Sequence, residues 1–417
     1  MAVVFESILY TTEKLKWVKQ HFKISFLYNM AYKSALGAPA KKLPPRNSIE
    51  EQNLAIVRGF TKMAKQPGGP PGHGAFTQAP VLWGVLGPMM ESSKKYQRND
   101  SDIRMAVNLW CTNGTQAVEK YGHIGQWNVS RVTNMSELFK DKRDFNVDIS
   151  GWDVSNVRNM SSMFNAARAF NQAIGLWDVS KVTNMSKMFA NTDNFNQAIG
   201  GWDVSHVTNM TNMFLGARVF DQAIGGWNVS SVTDMTGMFQ YARSFNQDIG
   251  DWNVARVIRM RDIFNHANNF NQAIGRWNVS SVTDMAGMFQ NAGSFNQPIG
   301  EWDVSSVTSM TCMFMHAYNF NQPIGGWDVS KVADMSSMFY DAEAFNQNLA
   351  QWAVANVTNY QHIFHDCPGM SGANSANRPI RFQQYPGGAK KSRRIRQKRS
   401  RKGRRTLKRG ARRTRRR

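Results

Sequence analysis

Tryptophan stands at positions 127, 152, 177, 202, 227, 252, 277, 302, 327 and 352, each 25 residues after the last. A period kept ten times without insertion or deletion lets every unit meet its neighbours in the same way, which makes the chain a solenoid. The unit reads W-[DN]-V-S-x-V-T-[ND]-M-S-x-M-F-x-x-A-x-x-F-N-Q-x-I-G-x, with Phe139 to Phe364 twelve residues after each Trp and Phe145 to Phe345 eighteen after. One unit offers about eight apolar anchors worth roughly 1.5–3 kcal/mol each when buried. Ordering its backbone costs roughly 1–2 kcal/mol per residue. A unit therefore needs neighbours on both flat faces, and the two ends of the stack need caps.

Within a unit the apolar spacing changes. Trp177 and Val179 alternate with Asp178 and Ser180, the pattern of a short strand with one buried face. Met185, Met188 and Phe189 then fall at i, i+3 and i+4, the stripe of an amphipathic helix. The residue before that stripe is Asn or Asp in most units, as in Asn134, Asn184 and Asp284, and suits a helix N-cap. A small residue such as Ala167 or Ala217 follows where one helix would press on the next, and the Gly of FNQxIG supplies the turn into the next strand. The pattern predicts an α/β solenoid of about ten strand-helix units sharing a narrow parallel sheet over residues 122–370. A helical cap is expected over 101–121, from Met105, Val107, Leu109, Trp110 and Val118. The stretch HDCPGM closes the other end.

Charge separates the rest of the chain from this body. Basic residues number 51 against 29 acidic ones, and 18 of the 51 lie in Lys390–Arg417, which holds no acid. Residues 122–366 carry 15 basic against 21 acidic groups, a net charge of −6. The high net charge thus belongs to the ends. Residues 1–100 read as a largely flexible basic head with a Gly/Pro linker, KQPGGPPGHGAFTQAP, at 65–80, and 371–417 as a disordered tail, strongly basic from 390. No apolar run approaches the ~20 residues of a membrane helix. The segment Lys14–Ala40 makes a poor secretory signal, because Asn29 and Lys33 interrupt its apolar part. Three cysteines, Cys111, Cys312 and Cys367, form no disulfide framework and no CxxC pair.

The motif FNQxIGxWDVSxVTNMxxMF resembles the repeat of the BspA-like surface proteins, a leucine-rich-repeat-like family found also in mycoplasmal lipoproteins, in algae and in large DNA viruses of algae. It covers about residues 122–366. The resemblance implies a leucine-rich-repeat-like α/β solenoid used for adhesion or protein interaction, without a known active site.

Candidate sites follow from what repeats and what varies. Asp or Asn next to nine of the ten Trp, with Ser two further on in eight units, reads either as a hydrogen-bonded polar ladder or as a calcium-binding column through Asp153, Asp178 and Asp203. Free exchange of Asn for Asp favours the ladder. Four residues after each Trp the side chain differs from unit to unit, and Arg131, Asn156, Lys181, His206, Arg256 and Lys331 there form the candidate partner-binding row. His362, His365, Asp366 and Cys367 have zinc-ligand types, and Cys312 with His316 could meet on a helix face. A decaying end repeat explains the first set, and surface drift the second, more cheaply. No HExxH, GxSxG or P-loop occurs. An enzyme is not expected, nor is any cofactor or metal.

In the tail, Arg393, Arg394, Arg396, Lys398, Arg399, Arg401, Lys402, Arg404, Arg405, Lys408, Arg409, Arg412, Arg413, Arg415, Arg416 and Arg417 are candidates for phosphate contact. Their binding would be unspecific in sequence and steeply salt-dependent, and the same residues suit nuclear import or an acidic membrane. No aromatic residue interleaves them, so stacking on single strands is not expected. The reading is a monomeric, non-enzymatic solenoid that binds an unknown protein partner, with a tail for nucleic acid or another polyanion. The alternative is a nucleic-acid-associated structural or virion protein whose tail is the active part. An intracellular setting, nuclear or virion-associated, is expected ahead of the cell surface.

Overall fold

The computed structural model describes residues 95–383. The basic head with its Gly/Pro linker, and the tail residues from Lys390 to Arg417, lie outside the described residues.

The described chain is a stack of ten coils, one per repeat, with an aromatic core. In the coil begun by Trp177, the residues Trp177, Val179, Val182, Met185, Met188, Phe189, Phe195 and Ile199 are all buried, and the same positions recur in the coils that follow. Equivalent rings lie over one another. Phe189 is 5.7 Å from both Phe164 and Phe214, and Trp227 is 6.4 Å from Trp252, all in parallel stacks. The small residue fifteen after Trp is fully buried at Ala167, Ala217 and Ala242, so the constraint there is the distance between coils. Thr192 fills that place in one coil and hands its hydroxyl to the Phe189 carbonyl.

The expected helix does not form. From Met185 to Phe195 the chain is a run of overlapping turns, closed by Met188 N–H to Met185 O (3.1 Å), Ala190 to Lys187 (3.1 Å) and Thr192 to Phe189 (3.3 Å). Two residues per coil, ten and fourteen after Trp, take positive φ, for example Lys187 (56°) and Asn191 (56°), and a right-handed helix cannot pass through them. The stripe Met185, Met188, Phe189 is nevertheless buried on one side, because three-residue turns return the chain inward at nearly helical spacing. The N–H groups between turns point along the stack. Met185, Lys187, Phe189 and Asn191 donate to the carbonyls of Asn209, Thr211, Met213 and Leu215 in the next coil, at 2.6–3.1 Å. Backbone groups that a helix would satisfy internally are thus satisfied between coils.

The parallel pairing between coils sits at a different place from the one expected. It runs through single bridges seven residues after each Trp, from Asn134 to Asn159, then Asn184, and on to Asn359. These Asn and Asp residues were expected to cap helices. Instead each caps a turn, as where Asn184 Oδ1 accepts the Ser186 N–H at 2.9 Å. Asn and Gln of FNQ form a second ladder, in which Asn171 Oδ1 accepts the Asn196 N–H and the Gln197 amide, both at 2.9 Å. The Gly of FNQxIG is needed for closeness. A Cβ on Gly200 would stand 2.3 Å from the Ala223 carbonyl of the next coil.

Both ends are covered. Strand β1 (Gln97–Asn99) pairs in parallel with β2 (Asn128–Arg131). Helices α1 (Ile103–Thr112) and α2 (Gly114–Tyr121) follow β1, with Ile103, Ala106, Val107 and Ala117 buried. Met105 and Val118, expected in the core of this cap, are exposed. Asp100 accepts the Thr133 and Asn134 N–H groups, so the carboxylate serves the open edge of the first coil. At the far end the ordered chain runs on past residue 370, where the tail was expected to begin. Leu349 N–H donates to Asn377 O, and α3 (Ile380–Gln383) places Phe382 against Tyr360 and Phe364.

Candidate partner-binding surface

The fourth residue after each Trp lies at the corner of a turn between two buried valines. In the third coil Val182 N–H donates to Val179 O at 2.9 Å, and Asp178 Oδ1 accepts the Ser180 N–H at 3.0 Å. With Val179 and Val182 held in the core, the corner residue Lys181 has only solvent to enter. Repetition of this turn sets one such side chain on each coil.

The predicted row is therefore brought onto one face. Arg131 ends β2, and Arg131, Asn156, Lys181, His206, Arg256 and Lys331 are all exposed. Neighbours touch along the stack, with Asn156 Nδ2 on Ser130 O at 2.9 Å and Lys181 Nζ on Asn156 Oδ1 at 2.8 Å. His206 Nδ1 lies 3.3 Å from the Ser205 hydroxyl. A column of threonines two residues on runs beside this row, each hydroxyl donating to the coil before, as Thr183 to Arg158 O (3.2 Å) and Thr208 to Thr183 O (3.3 Å). The face has a repeated hydroxyl column and a variable column carrying the differences between coils.

Aspartates next to Trp flank the row. Their Oδ1 atoms accept N–H groups inside their own turns, as Asp203 with Ser205, Asp303 with Ser305 and Asp328 with Ser330. Hydrogen bonds from the hydroxyl and backbone of those serines hold the carboxyls of Asp203, Asp303 and Asp328 below the usual carboxylate range. The repeated Asp/Asn is thus a turn cap within nine of the ten coils, the last carrying Ala353 there, and among the described residues no three His, Cys, Asp or Glu side chains are grouped to hold a metal ion.

The other two constellations separate on inspection. Cys312 and His316 both take positive φ in successive turns, and His316 Nδ1 lies 3.0 Å from Asp341 Oδ2 of the next coil. Burial raises the Cys312 thiol pKa, the opposite of an activated nucleophile. Cys367 fills the buried small-residue position of the last coil, its Sγ 3.3 Å from the Ala342 carbonyl, and burial pushes its pKa up to about 12. His365 faces Asp366 at 3.4 Å.

A second variable edge was not found from the sequence. Tyr241 stacks on His266 (4.3 Å), His316 meets Tyr340 edge-on (5.5 Å), and Tyr340 stacks on His365 (4.8 Å). The signal was present in the columns thirteen and fourteen residues after Trp, where aromatic and imidazole rings replace smaller residues in the later coils. In the earlier coils the neighbouring column is charged, with Asp193 between Arg168 (3.7 Å) and Arg218 (3.5 Å). Among the described residues no helix is long and apolar enough to cross a membrane.

No curated protein matches the chain. The model of one protein family matches it three times in overlapping windows, residues 113–218, 187–296 and 261–376, which together span well over half of the sequence and every one of the ten coils. The overlap of the windows is what a repeat family gives when one model slides along a uniform stack. By this match the chain belongs to the family described as "Mycoplasma protein of unknown function, DUF285".

Proposed function

We propose that the chain is a non-enzymatic scaffold whose solenoid recognises a protein partner through the row Arg131, Asn156, Lys181, His206, Arg256 and Lys331, while the basic tail holds a polyanion. The observation that carries this reading is the contrast between columns. Core, ladder and turn-capping positions repeat from coil to coil, whereas the exposed corner position changes in charge, size and hydrogen-bonding capacity. A stack of packed coils holds such side chains at fixed spacing, so ordering them on a partner costs little conformational entropy. The BspA-like resemblance supports an interaction role, with adhesion as one form of it.

The test is a combined substitution of Arg131, Lys181, Arg256 and Lys331 by Ser, the residue that other coils carry at the same corner. Unchanged melting with loss of the proteins captured by the wild-type chain supports the reading. Capture equal to wild type contradicts it.

A second reading has its own observation, the 18 basic residues of Lys390–Arg417 without one acid. In it the protein is a nucleic-acid-associated structural or virion component, nuclear or particle-bound, and the solenoid is a spacer. Contact by about six to ten of these groups gives a fall in affinity of roughly 10³- to 10⁵-fold between about 50 and 200 mM salt. Weak salt dependence would remove this reading.

A further inference from the structure

One edge of the solenoid changes sign halfway along. It is formed by the residues thirteen to seventeen after each Trp, since His316 meets Tyr318 across these columns at 6.0 Å and Arg243 acts electrostatically on His266 of the next coil. In the first five coils the edge carries Lys140, Lys142, Arg143, Arg168, Arg218 and Arg243 against Asp141, Asp144 and Asp193, a net +3. In the last five it carries no Lys or Arg, and Asp341, Glu343 and Asp366 make it −3. At the changeover the ring of Tyr241, stacked on His266, is 39% exposed, and Val219 one coil earlier is 41% exposed. Aromatic and apolar side chains at the centre of a charged surface have the composition of an interface core with its rim. The rings of Phe214, Phe239 and Phe264 lie in planes 4° and 2° apart, so the coils at this centre stack without turning.

We propose that two copies of the chain pair along this edge in antiparallel fashion, about a two-fold axis between the fifth and sixth coils, with Tyr241 at the centre. Charge complementarity selects both the occupant and its direction. An antiparallel pair sets each +3 half against a −3 half, whereas a parallel pair would oppose like charges. The match extends to single coils. Counting outward from the axis, the coil of Arg168 faces that of Asp341 and Glu343, and the coil of Lys142 and Arg143 faces that of Asp366. The coil of Asp193 faces that of His316 and Tyr318, whose imidazole and hydroxyl are donors for a carboxylate. A two-fold axis uses one surface twice and closes, so association stops at two copies. Of the 50 residues along the edge 38 are not buried, enough for the roughly 20–30 a side of a specific interface. A dimer thus replaces the monomer expected from the sequence. The row four residues after Trp lies outside these columns, so each dimer presents that row twice.

The test is sedimentation of the nuclease-treated full chain over a concentration series at low salt. A monomer–dimer equilibrium is expected, with no larger species and with weakening at high salt. Tyr241→Asn keeps the turn, since Asn191 and Asn291 take positive φ at the same place, and is expected to raise the dissociation constant roughly tenfold or more. Arg168 and Glu343 are both exposed, so reversing their charge leaves the core intact. Arg168→Glu and Glu343→Arg are each expected to weaken the dimer, and the chain carrying both to regain it, because opposite charges again face one another across the axis. A monomer at every concentration overturns the proposal. So does a dimer that none of the single variants weakens, a double variant no tighter than the single ones, or growth beyond two copies.

Discussion

The guanidinium of Arg378 lies over the ring of Phe364, 5.0 Å from its centre, and closes the column of stacked phenylalanines at its last member. At the other end Arg98 covers the first member of the tryptophan column, 5.5 Å over Trp127, and lies 4.6 Å over Tyr121. Each cation is buried, and burial is the main cause of its lowered pKa. Arg378→Ala removes the cation over a terminal ring and a hydrogen bond to Met370 O, and should cost about 2–3 kcal/mol in urea unfolding. Hydrogen exchange should quicken in the last coil first. Uniform quickening through all coils would show that the cap has no local role.

Backbone strain predicts opposite outcomes at adjacent alanines. Ala166 has φ of 59°, where a Cβ costs about 1–2 kcal/mol, so Ala166→Gly should gain about 0.5–1 kcal/mol after the flexibility of glycine is counted. Ala167 is fully buried at ordinary φ, and Ala167→Gly should lose about 1 kcal/mol or more. Gly200→Ala should be destabilising as well, since the added methyl meets the Ala223 carbonyl. Equal signs at 166 and 167 would contradict the turn geometry.

Those positions also show where the sequence was informative and where it was ambiguous. The period, the buried Trp, Val, Met, Phe and Ile, and the need for two caps follow from spacing alone, and the exposed corner row was legible because it varies. The helix was not correctly read, since the i, i+3, i+4 spacing of Met185, Met188 and Phe189 is shared by successive three-residue turns. What distinguishes them is the filling of the positive-φ columns. In the column fourteen after Trp, Asp141, Asn191, Gly216, Asn291, Asp341 and Asp366 are types that tolerate the left-handed region, whereas in the column ten after it only Asn212, Gly237, Asp262 and Gly287 are, which made the signal faint. Cross-coil ladders leave little trace in a single repeat, because a residue such as Asn171 satisfies partners 25 and 26 residues away.

The thiols should report on the last coil. Cys367, buried with its pKa pushed up to about 12, should be unreactive to a thiol reagent at pH 8, while Cys111, exposed although burial raises its thiol pKa as well, reacts faster. Cys367 should react only as the last coil opens, and faster in the Arg378→Ala chain. Prompt modification of all three cysteines in the native protein would contradict its place in the core.

Acid should loosen the turns before it reaches the core. The carboxyls of Asp203, Asp303 and Asp328 lie below their ordinary values because serine hydrogen bonds favour the ionised form. A depressed folded-state pKa gives stability that is complete above the unfolded value, near 3.9, and lost as pH falls through the folded one. The contribution of these carboxylates should therefore be flat above about pH 5 and fall below it, while His266, its pKa lowered by burial, adds a separate loss that begins near its unfolded value of about 6.5. Substituting these three residues by Asn should flatten that fall, which a pH series of urea midpoints reads directly.

Nearest-neighbour packing predicts that whole coils can be removed. Deleting 227–251, one 25-residue period, lets the donors of the preceding coil meet carbonyls in the same register, whereas deleting 227–238 puts every ladder out of register at that coil and splits the stack. The first chain should melt near wild type and the second should not fold as one stack. Trp252→Ala, which also removes the indole bond to Ile224 O at 3.1 Å, should cost roughly 3–5 kcal/mol. Equal damage from the two deletions would contradict the stack.

The division of labour between solenoid and tail is tested most directly by one comparison, the proteins captured after nuclease treatment by the full chain and by a chain ending at Gly388. The account predicts the same captured proteins for both, because recognition rests on the row from Arg131 to Lys331. Loss of all of them with the tail would contradict it, and would make Lys390–Arg417 the active part of the protein and the solenoid its spacer.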